Sequence, residues 1–541
     1  MVGQTVTITA EGNRQSITPT VIGDERYYPT TWSSTEGGKS GVFTVTGQVY
    51  SSGYTSTLAG NYTITATFQK QTWNRTAWIN SITDTKTISL TVSAVITGDN
   101  SGSGNGNSDS GEGTSSPPAT GNTGADIPVN DKEENAGIVT TIQEGDKTVT
   151  TVSIDQSKVE QKLSQEGKGA IVTIPVTDKS DVVVYELTGQ TVKSMEAKEA
   201  VLQIKTDNVI YTLPAAYINM MAVSQQIGDQ VALQDIKVNI MVATPPTDTV
   251  KMVQDTANEN SYQIVVNPVE FNITFTSGSK TVDVSTFKGF VERAIAIPDG
   301  IDSSKITTGI VLNTDGTFSH VPTTISIIDG RRYAKINSLT NSTYSVIYSS
   351  KTFADVNAHW AKEAVNDMGS RLVIDGSGDG RFEPDRDITR AEFAGIIVKG
   401  LGVMRPGTGK DIFSDVTKGN WYYDAVATAY EYGIIDGYGN GTFGPADKIT
   451  REQAMTMTAR AMKITGLQAE FKENEAENLL SGFADAGYSA DYAKSSIVSC
   501  IKTGIITGRD GNLVAPKNNI TRAEVAVFVR RLLQKSGLIL E

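Results

Sequence analysis

The residues best equipped for chemistry are concentrated in three matching blocks toward the C-terminal end. Phe-x-Asp occurs at Phe353/Asp355, Phe413/Asp415 and Phe483/Asp485, an aromatic follows at Trp360, Trp421 and Tyr492, and Thr-Arg closes each block at Thr389/Arg390, Thr450/Arg451 and Thr521/Arg522. In all three, 30 residues separate the aromatic from the arginine. Equal spacing repeated three times is the signature of an internal repeat. The chemistry on offer is recognition of an anionic, sugar-like ligand. A planar guanidinium suits a carboxylate, exposed amides at a helix N-terminus favour anions, and Trp or Tyr can stack on the apolar face of a sugar. The aspartates can orient the arginines or accept hydrogen bonds from sugar hydroxyls.

These groups need a scaffold. Between them lie LVIDG with GRFEP, GIIDG with GTFGP, and GIITG with GNLVAP, each reading as a helix end, a Gly-rich turn and a Pro, so each unit is helix, loop, helix. Phe393, Ile396, Ile397 and Leu401 fall at helical spacing and predict a core-facing stripe. A unit of about 55 residues buries too little surface to fold securely alone, so three are expected to pack into one pseudo-threefold helical module. Cys500 lies on such a stripe and reads as a small buried hydrophobe.

Position separates structure from recognition. Thr389-x-x-Glu392, Thr450-x-x-Gln453 and Thr521-x-x-Glu524 fit the capping box. Arg390, Arg451 and Arg522 do not fit, because a cation in the first turn opposes the helix dipole. A local rule broken three times points to ligand contact. The alternative is an internal salt bridge from each Arg to Asp355, Asp415 or Asp485. Trp360, Trp421 and Tyr492 either stack on sugar or plug the junctions between units. Gly376, Gly437 and Gly508 are expected to cap the first helix, with backbone contact to ligand as the other reading. Asp375 to Gly380 begins like a calcium loop, but its twelfth position is Arg386 where a bidentate Glu is needed, so no metal is expected. His359 reads as a solvated loop residue.

Composition excludes much else. Two His and one Cys leave almost nothing for His/Cys metal sites, Cys nucleophiles or disulfides, so no catalytic residues and no cofactor are expected. A net charge of −13 disfavours a nucleic-acid partner, and the absence of an apolar run near ~18 residues disfavours membrane insertion. Residues 353–541 carry only −3 of that charge, which makes this part least repelled by an anionic polymer. At about 150 residues per domain the length predicts three or four domains.

Upstream, alternation at 4–10, 41–49, 62–68 and 87–92 predicts short strands of an antiparallel sandwich over residues 1–96. LAGNYTITATF followed by KTISLTVSA resembles the closing strands of bacterial immunoglobulin-like domains. The opening residues lack an export signal and look like the inside of a domain, so the start is expected to lie upstream. Residues 97–136 are rich in Gly, Ser and Asn and predict a flexible linker. Residues 137–350 read as a β-rich domain or pair of domains, with short helices near 157–165 and 215–226.

The blocks FxDV, WA or WY, GII(D)G, F.P and ITRAE make residues 351–541 similar to the S-layer homology (SLH) repeats of Gram-positive cell-surface proteins. The expected repeats span 351–410, 411–480 and 481–541, and 137–350 resembles the β-rich segment that precedes such repeats in large bacillal surface proteins. The resemblance implies an exported, non-enzymatic protein held at the cell wall, extracellular or in an S-layer, through a secondary cell-wall polysaccharide on peptidoglycan. That polymer typically bears anionic pyruvylated N-acetylmannosamine. Self-association in a surface layer is a further expectation. The alternative is the C-terminal part of an SLH-anchored exoenzyme or adhesin. Unit three departs from the pattern at Ala486, Tyr492 and Thr507, and unit two carries Glu452-Gln453 in place of Ala-Glu. Arg390 or Arg451 is therefore expected to matter more than Arg522.

Overall fold

The structure is a computed structural model that describes residues 5–10, 25–34, 39–46, 49–55, 60–73, 78–92, 123–127, 129, 135–176, 179–228, 231–407, 409–510 and 512–541. By its internal contacts the chain divides into two units, residues 1–122 with 140–150, and residues 123–139 with 151–541.

In the first unit the alternating segments form two antiparallel sheets. One has the order Thr5–Ala10, Val49–Thr55, Thr44–Thr46, and the other Ser40–Val42, Glu25–Ser34, Gly60–Trp73, Trp78–Val92. Trp32 anchors a small core with Phe43, Tyr50, Tyr54 and Ile64. Its ring meets Tyr54 edge-on at 5.6 Å, and its Nε1 donates to Ser52 Oγ at 2.8 Å, so the one polar atom of the indole is satisfied. Gly41 admits the indole, because a Cβ there would lie 2.6 Å from it.

The second unit begins with a β-rich region and ends in helices. In one sheet six strands run in the order Phe318–Val321, Thr308–Leu312, Thr343–Tyr348, Gln263–Ser277, Lys237–Ala243, Val182–Thr188. A six-stranded sheet has the order Ile171–Pro175, Val201–Lys205, Val209–Pro214, Thr286–Ala296, Arg331–Thr340, Thr323–Ile328. Strict alternation of buried and half-buried residues along Val182–Thr188 and Val201–Lys205 shows why the period-two reading of this region holds. Ile171–Pro175 and Val201–Lys205 pair parallel, which demands a crossover. The strand Val182–Thr188 and the helix Gly189–Ala197 supply it. That helix and Thr247–Glu259 went unread in the sequence, whereas Gln156–Glu166 and Met220–Ile227 lie where short helices were expected.

The linker boundary needs correction. Residues 97–122 lie outside the described residues, but Thr123–Asp126 is a strand paired to the segment from Asn135, and Ile127 and Val129 are buried. Two apolar side chains spaced by one residue suffice to seat this segment on a core despite its polar surroundings.

From Lys362 onward the chain is helical, in pairs: Lys362–Ser370 and Arg390–Gly400, Tyr423–Glu431 and Arg451–Thr465, Asp491–Lys502 and Arg522–Lys535, with Glu473–Ser481 between the second and third pairs. Phe393, Ile397 and Leu401 are fully buried, Ile396 nearly so, and Cys500 is buried with its thiol pushed up to about 12 by desolvation. The β-rich region touches repeat one at Gly402, whose φ of +67° is left-handed and where a Cβ would lie 2.7 Å from Pro322 Cδ.

Beside that contact His320 is 2 % exposed, with Nδ1 2.7 Å from Thr308 Oγ1. Burial, helped by the charge of Arg371, lowers its pKa from 6.5 to about 3. The unfolded chain then binds the extra proton, so this contribution to stability is complete above 6.5 and is lost as pH falls toward about 3. The unfolding free energy from urea titrations should fall on acidification from pH 7 to 5 by up to about 1.4 kcal/mol per pH unit more in the parent than in His320→Gln. Parallel pH profiles would show that His320 titrates as if exposed.

Candidate functional site: the repeat junctions

The three helical pairs are joined cyclically. Each second helix lies against the first helix of the next repeat: Arg390–Gly400 against Tyr423–Glu431, Arg451–Thr465 against Asp491–Lys502, and Arg522–Lys535 against Lys362–Ser370. At the centre three isoleucines exchange backbone hydrogen bonds in a closed triangle, Ile388 N to Ile520 O at 3.1 Å, Ile520 N to Ile449 O at 3.1 Å, and Ile449 N to Ile388 O at 3.3 Å. No repeat can complete this triangle alone.

The second helices begin with the expected capping boxes at Thr389/Glu392, Thr450/Gln453 and Thr521/Glu524. Their first two amides are not open to an anion, which corrects one expectation. Arg390 N and Ala391 N donate to Asp447 O and Pro445 O, Arg451 N and Glu452 N to Asn518 O and Pro516 O, and Arg522 N and Ala523 N to Arg386 O and Pro384 O. The segment from the Pro after each Gly-rich turn presents these carbonyls to the preceding repeat's second helix, so amides orphaned at a helix start are satisfied across the junction.

The arginines follow the same direction. Arg390 Nε donates to Phe443 O at 2.9 Å, Arg451 Nε to Val514 O at 2.9 Å and Arg522 Nε to Phe382 O at 2.8 Å. All three are buried, at 4, 2 and 8 % exposure. Burial lowers the pKa of each guanidinium, as removing a cation from water must. Their faces rest on aromatic rings, Arg390 on Tyr438 at 4.7 Å and Phe443 at 4.8 Å, Arg522 on Phe382 at 4.5 Å.

Asp355, Asp415 and Asp485 do not form the salt bridges weighed for them. Asp355 accepts from the amides of Phe382 and Glu383, Asp415 from Phe443 and Gly444, and Asp485 from Val514 and Ala515, at 2.7 to 3.1 Å. Each carboxylate pins the loop whose carbonyl receives an arginine from the preceding repeat. The Asp thus orients the Arg through one peptide unit rather than by direct pairing.

Direct pairing goes instead to the capping-box glutamates. Arg451 Nη1 meets Glu524 at 2.6 Å and Arg522 Nη1 meets Glu392 at 3.3 Å. Although burial alone would raise them, hydrogen bonds from Arg386 to Glu392 and from Arg509 to Glu524 hold both carboxyls below the usual carboxylate range. Sequence reasoning missed this second duty. The signal was the N3 residue itself, Glu in units one and three and Gln in unit two.

Trp360, Trp421 and Tyr492 are 65, 67 and 59 % exposed, so they do not plug the junctions. Trp421 still belongs to one, since a Cβ on Gly395 of the preceding repeat would lie 3.6 Å from its Cζ3. The helix-capping reading of Gly376, Gly437 and Gly508 is also corrected. The left-handed residues that end the first helices stand four positions earlier, at Leu372, Gly433 and Gly504. Gly376 and Gly437 are needed for close approach: a Cβ would lie 2.9 Å from Phe353 Cε1 and 2.5 Å from Phe413 Cε1, with Gly508 similarly 2.8 Å from Phe483 Cε1. The Phe of each Phe-x-Asp therefore packs on its own Gly-rich turn. His359 reaches Asp385 at 3.2 Å and forms no further charged pair among the described residues.

A ring of short helical repeats tied by an ITRAE-type capping box defines a class, and the comparisons agree. The S-layer homology domain family matches residues 352–394, 412–455 and 482–526, so the chain carries three S-layer homology repeats in its C-terminal part. It is 28 % identical over 393 residues to an amylopullulanase of Thermoanaerobacterium thermosulfurigenes, covering 72 % of this chain and 19 % of that protein. It is 38 % identical over 200 residues to the exoglucanase XynX of Acetivibrio thermocellus, covering 37 % of this chain and 18 % of that protein. It is 34 % identical over 179 residues to the surface-layer 125 kDa protein of Lysinibacillus sphaericus, covering 32 % of this chain and 14 % of that protein. The chain thus spans less than a fifth of the length of each of these relatives.

The double duty of Glu524 is measurable. Thr521→Ala removes a cap and should cost about 1 kcal/mol, whereas Glu524→Ala also strands a buried guanidinium and should cost about 3 to 5 kcal/mol. Differential scanning calorimetry of the full chain would compare them, and equal losses would reduce Glu524 to a capping residue.

Proposed function

We propose that this chain anchors an exported surface protein to the cell wall, with residues 351–541 acting as a pseudo-threefold SLH trident that binds anionic, pyruvylated secondary cell-wall polysaccharide. The observation that carries the reading is that each junction buries an Arg from one repeat, at Arg390, Arg451 and Arg522, while the same helical module exposes Trp360, Trp421 and Tyr492. A guanidinium held by backbone carbonyls is positioned for a carboxylate, and the aromatic offers a platform for the sugar that bears it. The carboxylates Asp355, Asp415 and Asp485 with Gly376, Gly437 and Gly508 serve the site by shaping the loops that receive each Arg. The immunoglobulin-like reading of residues 1–96 and a structural, S-layer-type role for the β-rich part belong to the same proposal, as does self-association at the surface.

A second reading has its own support. The 393 residues shared with the amylopullulanase exceed the length of the repeat region, so the likeness extends into the β-rich part. That favours a display and anchoring segment of the kind carried by long exoenzymes, with any catalytic domain elsewhere in the protein.

The full chain should sediment with purified wall sacculi, and a chain ending at residue 350 should not. Hydrofluoric-acid extraction, which strips polysaccharide from peptidoglycan, should abolish sedimentation. Undiminished binding to stripped sacculi would transfer the target to peptidoglycan.

A further inference from the structure

The three arginines occupy equivalent places but have different partners. Arg522 directs Nε, Nη1 and Nη2 to Phe382 O, Glu392 and Asp375 O, and Arg451 directs Nε and Nη1 to Val514 O and Glu524. Arg390 directs Nε to Phe443 O and Nη2 to Asp436 O at 3.2 Å. Among the described residues its Nη1 has no hydrogen-bond partner, and no carboxylate forms an ion pair with it. The cause lies in the sequence of repeat two. At the position of Glu392 and Glu524 stands Gln453, whose Oε1 accepts from Thr450 N at 3.1 Å, so the cap is kept and the charge is lost.

The surroundings of this junction differ as well. Tyr438, 49 % exposed, takes the position held by Ser377 and Arg509 in the other repeats and lies over the Arg390 guanidinium, its hydroxyl donating to Asp447 Oδ2 at 2.9 Å. Trp421 stands at the same junction, against Gly395, five residues along the helix from Arg390. One exposed aromatic therefore lies over a buried cation that has a free N–H edge, and a second stands at the same junction.

We propose that the junction of repeats one and two is the single carboxylate-accepting groove of the three, and that Gln453 is the residue that keeps it open. At the other two junctions an internal glutamate already occupies the equivalent edge of the arginine. The ligand carboxylate takes the place at Arg390 that Glu392 and Glu524 take at Arg522 and Arg451, while Tyr438 and Trp421 flank the sugar. This assignment rests on the polysaccharide reading above and adds which groove works and why.

Titration calorimetry of the full chain with the methyl glycosides of pyruvylated and of unmodified N-acetylmannosamine separates the two claims. The parent should bind one equivalent of the pyruvylated probe. Gln453→Glu retains the capping box and gives Arg390 an internal partner, so the protein should stay folded while affinity for the pyruvylated probe falls at least about tenfold, toward that of the unmodified one. Glu524→Gln should open a second groove and raise the stoichiometry to two. Where that variant fails to fold, Gln453→Glu decides alone. A parent that binds three equivalents, or a Gln453→Glu protein that binds as the parent does, overturns the groove assignment while leaving polysaccharide binding intact. A parent that binds neither probe overturns the polysaccharide reading, and the assignment with it.

Discussion

A guanidinium sealed between two repeats must find acceptors for its N–H groups, and in this protein it finds them on the next repeat's loop. Arg390, Arg451 and Arg522 each donate Nε to a loop carbonyl, and that loop is held in place by hydrogen bonds from its own amides to the carboxylate of Asp415, Asp485 or Asp355. The Gly-rich turn, the Phe that packs on it and the Pro that presents a carbonyl to the neighbouring helix all serve this one contact. Burying a cation without such acceptors would cost several kcal/mol, so the arginines make the three repeats interdependent. The isoleucine triangle at the centre is the backbone counterpart of the same dependence.

Much of this was legible in the sequence because it repeats. Spacing gave the helical pairs, the capping boxes and the junction arginines, and amphipathic stripes gave the core. What spacing could not give was direction. A repeat motif read within one unit suggests partners within that unit, and so Asp355 reads as a partner for Arg390. In the ring, Asp355 instead supports Arg522, 167 residues away in the chain. The glycines were misassigned for a related reason. A Gly near a helix end resembles a cap, yet Gly376 and Gly437 are set by a phenylalanine more than twenty residues earlier.

The β-rich region was legible at the level of strands and less so in its connections. Strand alternation survives because each sheet has one face on a core. The crossover helix Gly189–Ala197 is short and polar on one side, and only the parallel pairing it serves explains its presence. The strand Thr123–Asp126 sits in a composition that otherwise reads as linker, and two buried residues beside it outweigh that composition. Where a few apolar contacts at long range decide the structure, local composition is a poor guide.

If the cyclic contacts carry the fold of the repeat region, its opening must be cooperative. Native-state amide hydrogen exchange at Ile388, Ile449 and Ile520 tests this most directly, since each amide donates to a different repeat. The three should exchange with the same opening free energy, equal to that of the repeat region as a whole. One of them exchanging well ahead of the other two would mean that a repeat opens by itself, and the ring could not be what holds the junctions together.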